Sequence, residues 1–130
     1  MKIINTISEF IELRNELSKK IALVPTMGSI HEGHISLVET AKKHGDIIIA
    51  TIFVNPIQFN NTEDYNSYPK DFDKDVEILE KNGVDILFCP SLSEVYPDGF
   101  DTTVRVNSLS NSLEGQYRKG HMEGVATIVT

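Results

Sequence analysis

The sequence is short of several things, and each shortage removes a class of protein. One cysteine, Cys89, stands in 130 residues, so no internal disulfide can form and the fold must rest on its core. No secretory or transit segment is expected at the start, where Lys2 and Asn5 interrupt isolated apolar residues. Together these point to a reducing, cytoplasmic setting. No apolar run approaches the roughly 18 residues that a membrane-spanning helix needs. The longest, 47–54, is broken by Thr51, and no membrane insertion is expected. Cations are scarce as well: twelve Lys and Arg against nineteen Asp and Glu leave a net charge of −7 and a pI near 5.0. That sign opposes broad contact with a phosphate backbone, so nucleic acid is not an expected partner. With 5 Pro, 8 Gly, no repeat and no low-complexity tract, no internal linker is apparent and a single domain is expected.

What is there reads as an ordinary globular chain, 40% hydrophobic and 24% charged. At this length folding buries roughly two-thirds of the unfolded surface, enough for a real core. Thr6 and Glu9 stand at capping-box spacing before Phe10, Leu13 and Leu17, which predicts a helix over 7–19. The apolar run 21–25, stopped by Pro25, predicts a buried strand. A second helix follows from Ile35, Val38 and Ala41, ending in Lys42, Lys43, His44 and Gly45. Residues 46–54 are almost uninterrupted β-branched and aromatic sequence, the pattern of a central parallel strand covered on both faces. A long polar stretch, 55–70, reads as a loop. A helix over 71–82 and a buried strand over 84–89 come next, then a turn or short helix in 91–98, a strand in 102–106 and a brief helix in 109–115. Residues 124–130 read as a strand by propensity.

The alternation of helix and strand predicts an α/β fold, a Rossmann-like doubly wound parallel sheet with helices on both faces. Ligands of such sheets bind beyond the carboxyl ends of the strands. The two least periodic segments, 25–34 and 55–70, both follow strands and so fall at that edge.

The first of them runs Pro25-Thr26-Met27-Gly28-Ser29-Ile30-His31-Glu32-Gly33-His34, from a strand into a helix N-terminus, where unpaired N–H groups attract phosphate. His31 and His34 are three apart, so both rings can turn to one side and supply donors to phosphoryl oxygens. Charge that grows on those oxygens during nucleotidyl transfer is stabilised by such preorganised donors, a task for histidine or lysine. Ordinary surface imidazoles and a partial zinc site remain alternatives, although no third zinc ligand is near in sequence. Asp71, Asp73 and Asp75 alternate at a helix start, where carboxylates offset the dipole; of the three, Asp75 is the candidate for Mg²⁺. Cys89 ends a buried strand and reads as inert.

The His-x-Gly-His string resembles the signature of the nucleotidyltransferase superfamily that includes class I aminoacyl-tRNA synthetases and small adenylyltransferases. Its longer form, Pro-Thr-Met-Gly-x-x-His-x-Gly-His, resembles the pantothenate synthetase family. So do Ile52-Phe53-Val54-Asn55-Pro56-Ile57-Gln58-Phe59, then Tyr96-Pro97-Asp98-Gly99, and Leu113-Glu114-Gly115-Gln116-Tyr117-Arg118 with Gly120-His121 and Gly124-Val125-Ala126-Thr127 behind it.

The resemblance implies a ligase that joins pantoate to β-alanine with ATP and Mg²⁺ through pantoyl adenylate, releasing pyrophosphate and then AMP. It implies an ATP site at Met27, Gly28, Ser29, Ile30, His31, Glu32, Gly33 and His34, with His34 and His31 as catalytic residues. A pocket for pantoate and β-alanine would draw on Gln58, Asn55, Pro25, Met27, Tyr68, Glu114, Arg118 and His121. Residues 124–130 would begin a helix, and the chain would form a homodimer, for which the strand expected in 102–106 is a candidate surface. Members of that family are about twice as long, with a further Gly-Glu-Lys-Asp loop and a Leu-Ser-Ser-Arg segment absent here, so residues 1–130 are expected to be the N-terminal nucleotide-binding part. A non-catalytic nucleotide-binding fragment and another adenylyltransferase of the His-x-Gly-His type are the alternatives.

Overall fold

In the computed structural model, which describes residues 1–110 and 117–130, the chain forms two compact units. One comprises Met1–Phe53 and Pro69–Pro97; the other comprises Val54–Tyr68 and Asp98–Thr130. In chain order the elements are β1 (Lys2–Ile4), α1 (Ile7–Glu16), β2 (Ile21–Thr26), α2 (Glu32–Lys42), β3 (Ile47–Ile52) and a 3-10 turn (Pro56–Gln58). There follow α3 (Thr62–Ser67), α4 (Phe72–Lys81), β4 (Ile86–Phe88), α5 (Leu92–Val95), α6 (Asn107–Ser110) and α7 (His121–Val129).

The first unit is built on one parallel sheet with strand order β1-β4-β3-β2. Register pairs Ile21 with Ile47 and Thr26 with Ile52, and Ile49 with Ile86, so β2 and β3 end together. Sheets of this kind are buried on both faces, which explains the unbroken apolar run of β3. On one face Phe10, Leu13 and Leu17 pack over Ile4, Ile49 and Ile86, and Phe10 stacks on Phe88 with ring centroids 4.6 Å apart. On the other, Val38 and Ala41 of α2 and Leu79 of α4 close over Val24, Ile48, Ala50 and Leu87. The expected α/β sheet with helices on both faces is therefore the fold that forms.

Several boundaries shift for physical reasons. Thr6 caps α1 through its hydroxyl, which accepts from Glu9 N at 3.3 Å, but the helix stops at Glu16 because Leu17 turns extended and packs beneath the sheet. β1 was not expected: it is three residues long, and only Ile4 is buried. β4 is shorter than 84–89: Asp85 N still donates to Ile48 O at 2.9 Å, but Ile48 N is taken by the Asp85 carboxylate at 2.8 Å, where a backbone carbonyl would continue the ladder. Asp71 caps α4, accepting from Lys74 N at 3.4 Å.

In the second unit the stretch 55–70 is not a plain loop. It holds the 3-10 turn and α3, whose cap Asn61 accepts from Asp64 N at 2.7 Å. The strand expected in 102–106 does not form. Val104 N donates to Thr127 Oγ1 at 2.9 Å instead of to a neighbouring strand, and Thr102, Thr103, Arg105 and Val106 are exposed. Residues 124–130 lie in helix α7 up to Val129, as the family resemblance implied and against their strand propensity. Helix α6 begins before the one expected in 109–115, and residues 111–116 lie outside the described residues. Among the described residues no helix is long and apolar enough to cross a membrane.

Candidate functional site

The loop after β2 is assembled from the strand outward. Thr26, nearly buried, donates its hydroxyl to Thr51 O at 2.7 Å and accepts from Gly28 N at 3.1 Å, turning the chain off the sheet edge. A hydroxyl bonding the amide two residues on is a local turn device that the sequence reading passed over, although Thr-x-Gly carries its signal. Gly28 and Ser29 both take left-handed backbone, with φ of 82° and 54°. Ile30 then drops into the core at 7% exposure. Pro25 is exposed, and Met27 and Ser29 are half-buried.

His31 and His34 form the start of α2 in an unexpected way. His31 is the N-cap, and its Nδ1 accepts from Gly33 N at 3.0 Å. His34, at the third helical position, accepts from His31 N through its own Nδ1 at 3.2 Å. The pair is a reciprocal capping box built from imidazoles. Nδ1 acts as an acceptor in both rings, so each neutral ring carries its proton on Nε2 and offers that N–H outward from the cap. The rings sit 4.1 Å apart, centroid to centroid. Gly33 is required by this arrangement, since a Cβ there would lie 2.8 Å from His31 Cε1. Glu32 and Gly33 are exposed beside them. The pKa of His34 is lowered from its ordinary value by burial and by the neighbouring His31, with Asp75 pulling weakly the other way. It is thus held neutral, as its acceptor role requires.

Phosphate was expected on unpaired amides at this helix start. Gly33 N is instead taken by His31 Nδ1, and His34 N and Ile35 N by His31 O. With those three amides taken, the ring N–H groups are the donors the two histidines add at the helix start.

Asp75 also takes a different part from the one expected. It sits on the core side of α4 at 3% exposure, with Oδ2 accepting from Ser29 N at 2.8 Å and Oδ1 from Ile30 N at 2.7 Å. Both oxygens are committed to the loop, which does not fit the role of Mg²⁺ ligand. Among the described residues no three His, Cys, Asp or Glu gather as a metal-binding group.

In the second unit Asn55 is fully buried and donates through Nδ2 to Gln58 Oε1 at 2.8 Å and to Gly124 O at 3.1 Å. With its oxygen so held, Gln58 turns its NH₂ group away as a donor. His121 Nδ1 lies 2.9 Å from the Gln58 backbone carbonyl, which only accepts, so this ring carries its proton on Nδ1 and leaves Nε2 as an acceptor, the reverse of His31 and His34. Tyr68 packs edge-on against Phe59 at 5.7 Å. Arg118 is exposed, its carbonyl accepting from His121 N at 3.0 Å. Glu114 lies outside the described residues. Of the expected substrate residues, Asn55, Gln58 and His121 are thus brought together, while in the other unit His31 and His34 stand at the start of α2 and Asp75 of α4 bonds the loop before them.

The pantoate-beta-alanine ligase family profile matches residues 2–130. The chain belongs to that family. It is 48% identical over 126 residues to pantothenate synthetase of Thermoanaerobacter pseudethanolicus, an alignment that takes in 97% of this chain and 44% of the relative. It is 52% identical over 132 residues to the pantothenate synthetase of Buchnera aphidicola subsp. Acyrthosiphon pisum (strain 5A), covering all of this chain and 46% of the relative. The chain thus spans about half the length of the curated relatives it matches. Among solved structures, the pantothenate synthetase of Thermus thermophilus superposes with a TM-score of 0.90 at 44% identity, over 99% of this chain and 46% of that one. The Francisella tularensis pantoate-beta-alanine ligase, complexed with beta-gamma ATP and beta-alanine, gives 0.93 at 45% identity, over 99% of this chain and 51% of that one.

Proposed function

We propose that this chain is the N-terminal, nucleotide-binding part of a ligase that joins pantoate to β-alanine using ATP. The observation that carries the reading is the imidazole capping box, with two Nε2–H donors offered side by side at the carboxyl edge of a parallel sheet. A pantoate carboxylate oxygen attacks the α-phosphorus, the bond to the bridging oxygen breaks, and pyrophosphate leaves. The neutral amine of β-alanine then attacks the acyl carbon, forming the C–N bond as the acyl C–O bond breaks; AMP departs with that oxygen and one amine proton is released to solvent. His34 and His31 donate to phosphate oxygens as charge grows there, the kind of contribution preorganised donors make. Met27 to Gly33 line the ATP, and Gln58, oriented by Asn55, donates to pantoate; Pro25, Tyr68, Glu114, Arg118 and His121 are the further substrate residues that the family resemblance implies. Mg²⁺ belongs to ATP chemistry of this kind through the phosphates, and no step is assigned to it through Asp75. The lone thiol agrees with a cytoplasmic enzyme, and sedimentation tests the homodimer that the family resemblance implies.

The test is pantoate-dependent exchange of pyrophosphate into ATP, measured on this chain joined to the half of the Thermoanaerobacter relative that it does not cover. His34→Ala is expected to lower exchange by about 10² to 10³, the usual effect of losing one such donor. Full exchange in that variant would overturn the assignment. Exchange that does not depend on pantoate would point to another adenylyltransferase.

A further inference from the structure

A carboxylate on the core face of a helix is the feature of this chain least expected from its pattern. Asp75 stands one turn before Leu79, which is fully buried, on the same side of α4, and α4 is otherwise an ordinary amphipathic helix with Val76, Ile78 and Leu79 against the sheet. A buried carboxylate is tolerated only where donors meet it. Here the donors are two consecutive loop amides, Ser29 N and Ile30 N. The loop needs the carboxylate in turn: Ser29 holds φ of 54°, a left-handed conformation that is unfavourable for a residue with a Cβ.

We propose that Asp75 is a positioning residue for the imidazole pair, an internal anion fixed on α4 that holds residues 28–30 in place and thereby sets where the start of α2 presents His31 and His34. Ile30 is the apolar anchor of the same short segment, and only His31 separates it from α2, so a displacement of the two amides is passed directly to the capping box. The carboxylate also occupies the loop's amide pair as a bound anion would, so a phosphate approaching the loop meets the ring donors rather than the amides of 29 and 30. The catalytic consequence rests on the ligase reading; the clamp itself does not.

The test combines measurements on the 130-residue chain and on the joined enzyme. In the unaltered chain, NMR is expected to show scalar coupling across the hydrogen bonds from the amide nitrogens of Ser29 and Ile30 to the Asp75 carboxyl carbon. Asp75→Asn, which keeps the shape but turns an NH₂ toward a donor, is expected to reduce hydrogen-exchange protection at both amides by about tenfold or more while β3 keeps its protection. The His34 ring is expected to titrate at lower pH in that variant, since the carboxylate that raises its pKa is gone, a shift that mere loosening of α4 would not produce. In the joined enzyme the exchange rate at saturating ATP is expected to fall about tenfold or more. Absence of the couplings in the unaltered chain would overturn the proposal even if the variant does not fold, and so would unchanged amide protection and His34 titration. Couplings present without pantoate-dependent exchange in the unaltered joined enzyme would remove the ligase reading and leave the clamp standing.

Discussion

Asn55 donates through Nδ2 to Oε1 of Gln58 at 2.8 Å, and the same amide group reaches Gly124 O at 3.1 Å. One buried side chain thus ties the 3-10 turn to α7 and decides which end of the Gln58 amide faces outward. Replacing Asn55 by Ala leaves the Gly124 carbonyl without that donor and lets the Gln58 amide rotate. A loss of about 1 to 3 kcal/mol is expected in urea unfolding, the cost of stranding a buried polar group. In the joined enzyme, KM for pantoate should rise in the same variant; an unchanged KM would separate Gln58 from substrate binding.

Gly124 meets the turn at closer range than any side chain allows. A Cβ there would overlap the Ile57 carbonyl and lie 2.7 Å from Gln58 Cα, both backbone atoms with little room to yield. Gly124→Ala is therefore expected to destabilise by about 2 kcal/mol or more, as overpacking against fixed atoms does. Calorimetry checks it, with a lowered melting temperature as the expected result and an unchanged one as the contrary.

Stability should depend on the protonation of His34. Its folded pKa lies below the ordinary imidazole value, so above that value both states are neutral and the native state bears no penalty. As pH falls from about 6.5 through the folded pKa, the unfolded chain binds the proton more readily, and the stability gap narrows. A protonated Nδ1 also can no longer accept from His31 N. Urea midpoints between pH 7.5 and 5 should decline, and His34→Gln should flatten the His34 contribution to that decline.

Cys89 is expected to resist alkylation. Burial pushes its thiol up to about 11, against an ordinary value of 9.0, with a hydrogen bond from the Ile52 backbone offsetting little of the rise. Thiolate is the reacting form, so labelling at pH 8 should run about a hundredfold slower than for a free thiol. Rapid labelling of the folded chain would show the strand end opening.

What could be read from the sequence divides along physical lines. β2 and β3 were legible as unbroken apolar runs, and α2 and α4 because each repeats apolar residues at helical spacing and ends in a glycine, Gly45 and Gly83. β1 was not, since a three-residue strand with one buried side chain has no period to detect. The run 102–106 has β-branched residues but no sheet partner among the described residues, and 124–129 is helical despite its strand propensity, with Gly124 packed closely on the 3-10 turn. At the site, His31, His34 and Gln58 were visible from their spacing and motif. The part played by Asp75 was hidden because its partners are backbone amides more than 40 residues away, which no side-chain pattern records.

The imidazole cap bears on which residues the helix start could accept in evolution or design. Lysine would bring a permanent charge to an anion site, yet it has no lone pair when charged and could not accept from Gly33 N or His31 N. Each such exchange would strengthen attraction for phosphate while opening the first turn that aims it. Histidine alone among the cationic side chains can be neutral acceptor on one edge and donor on the other, so the anion binding proposed for this loop and its helix initiation would be one property and change together.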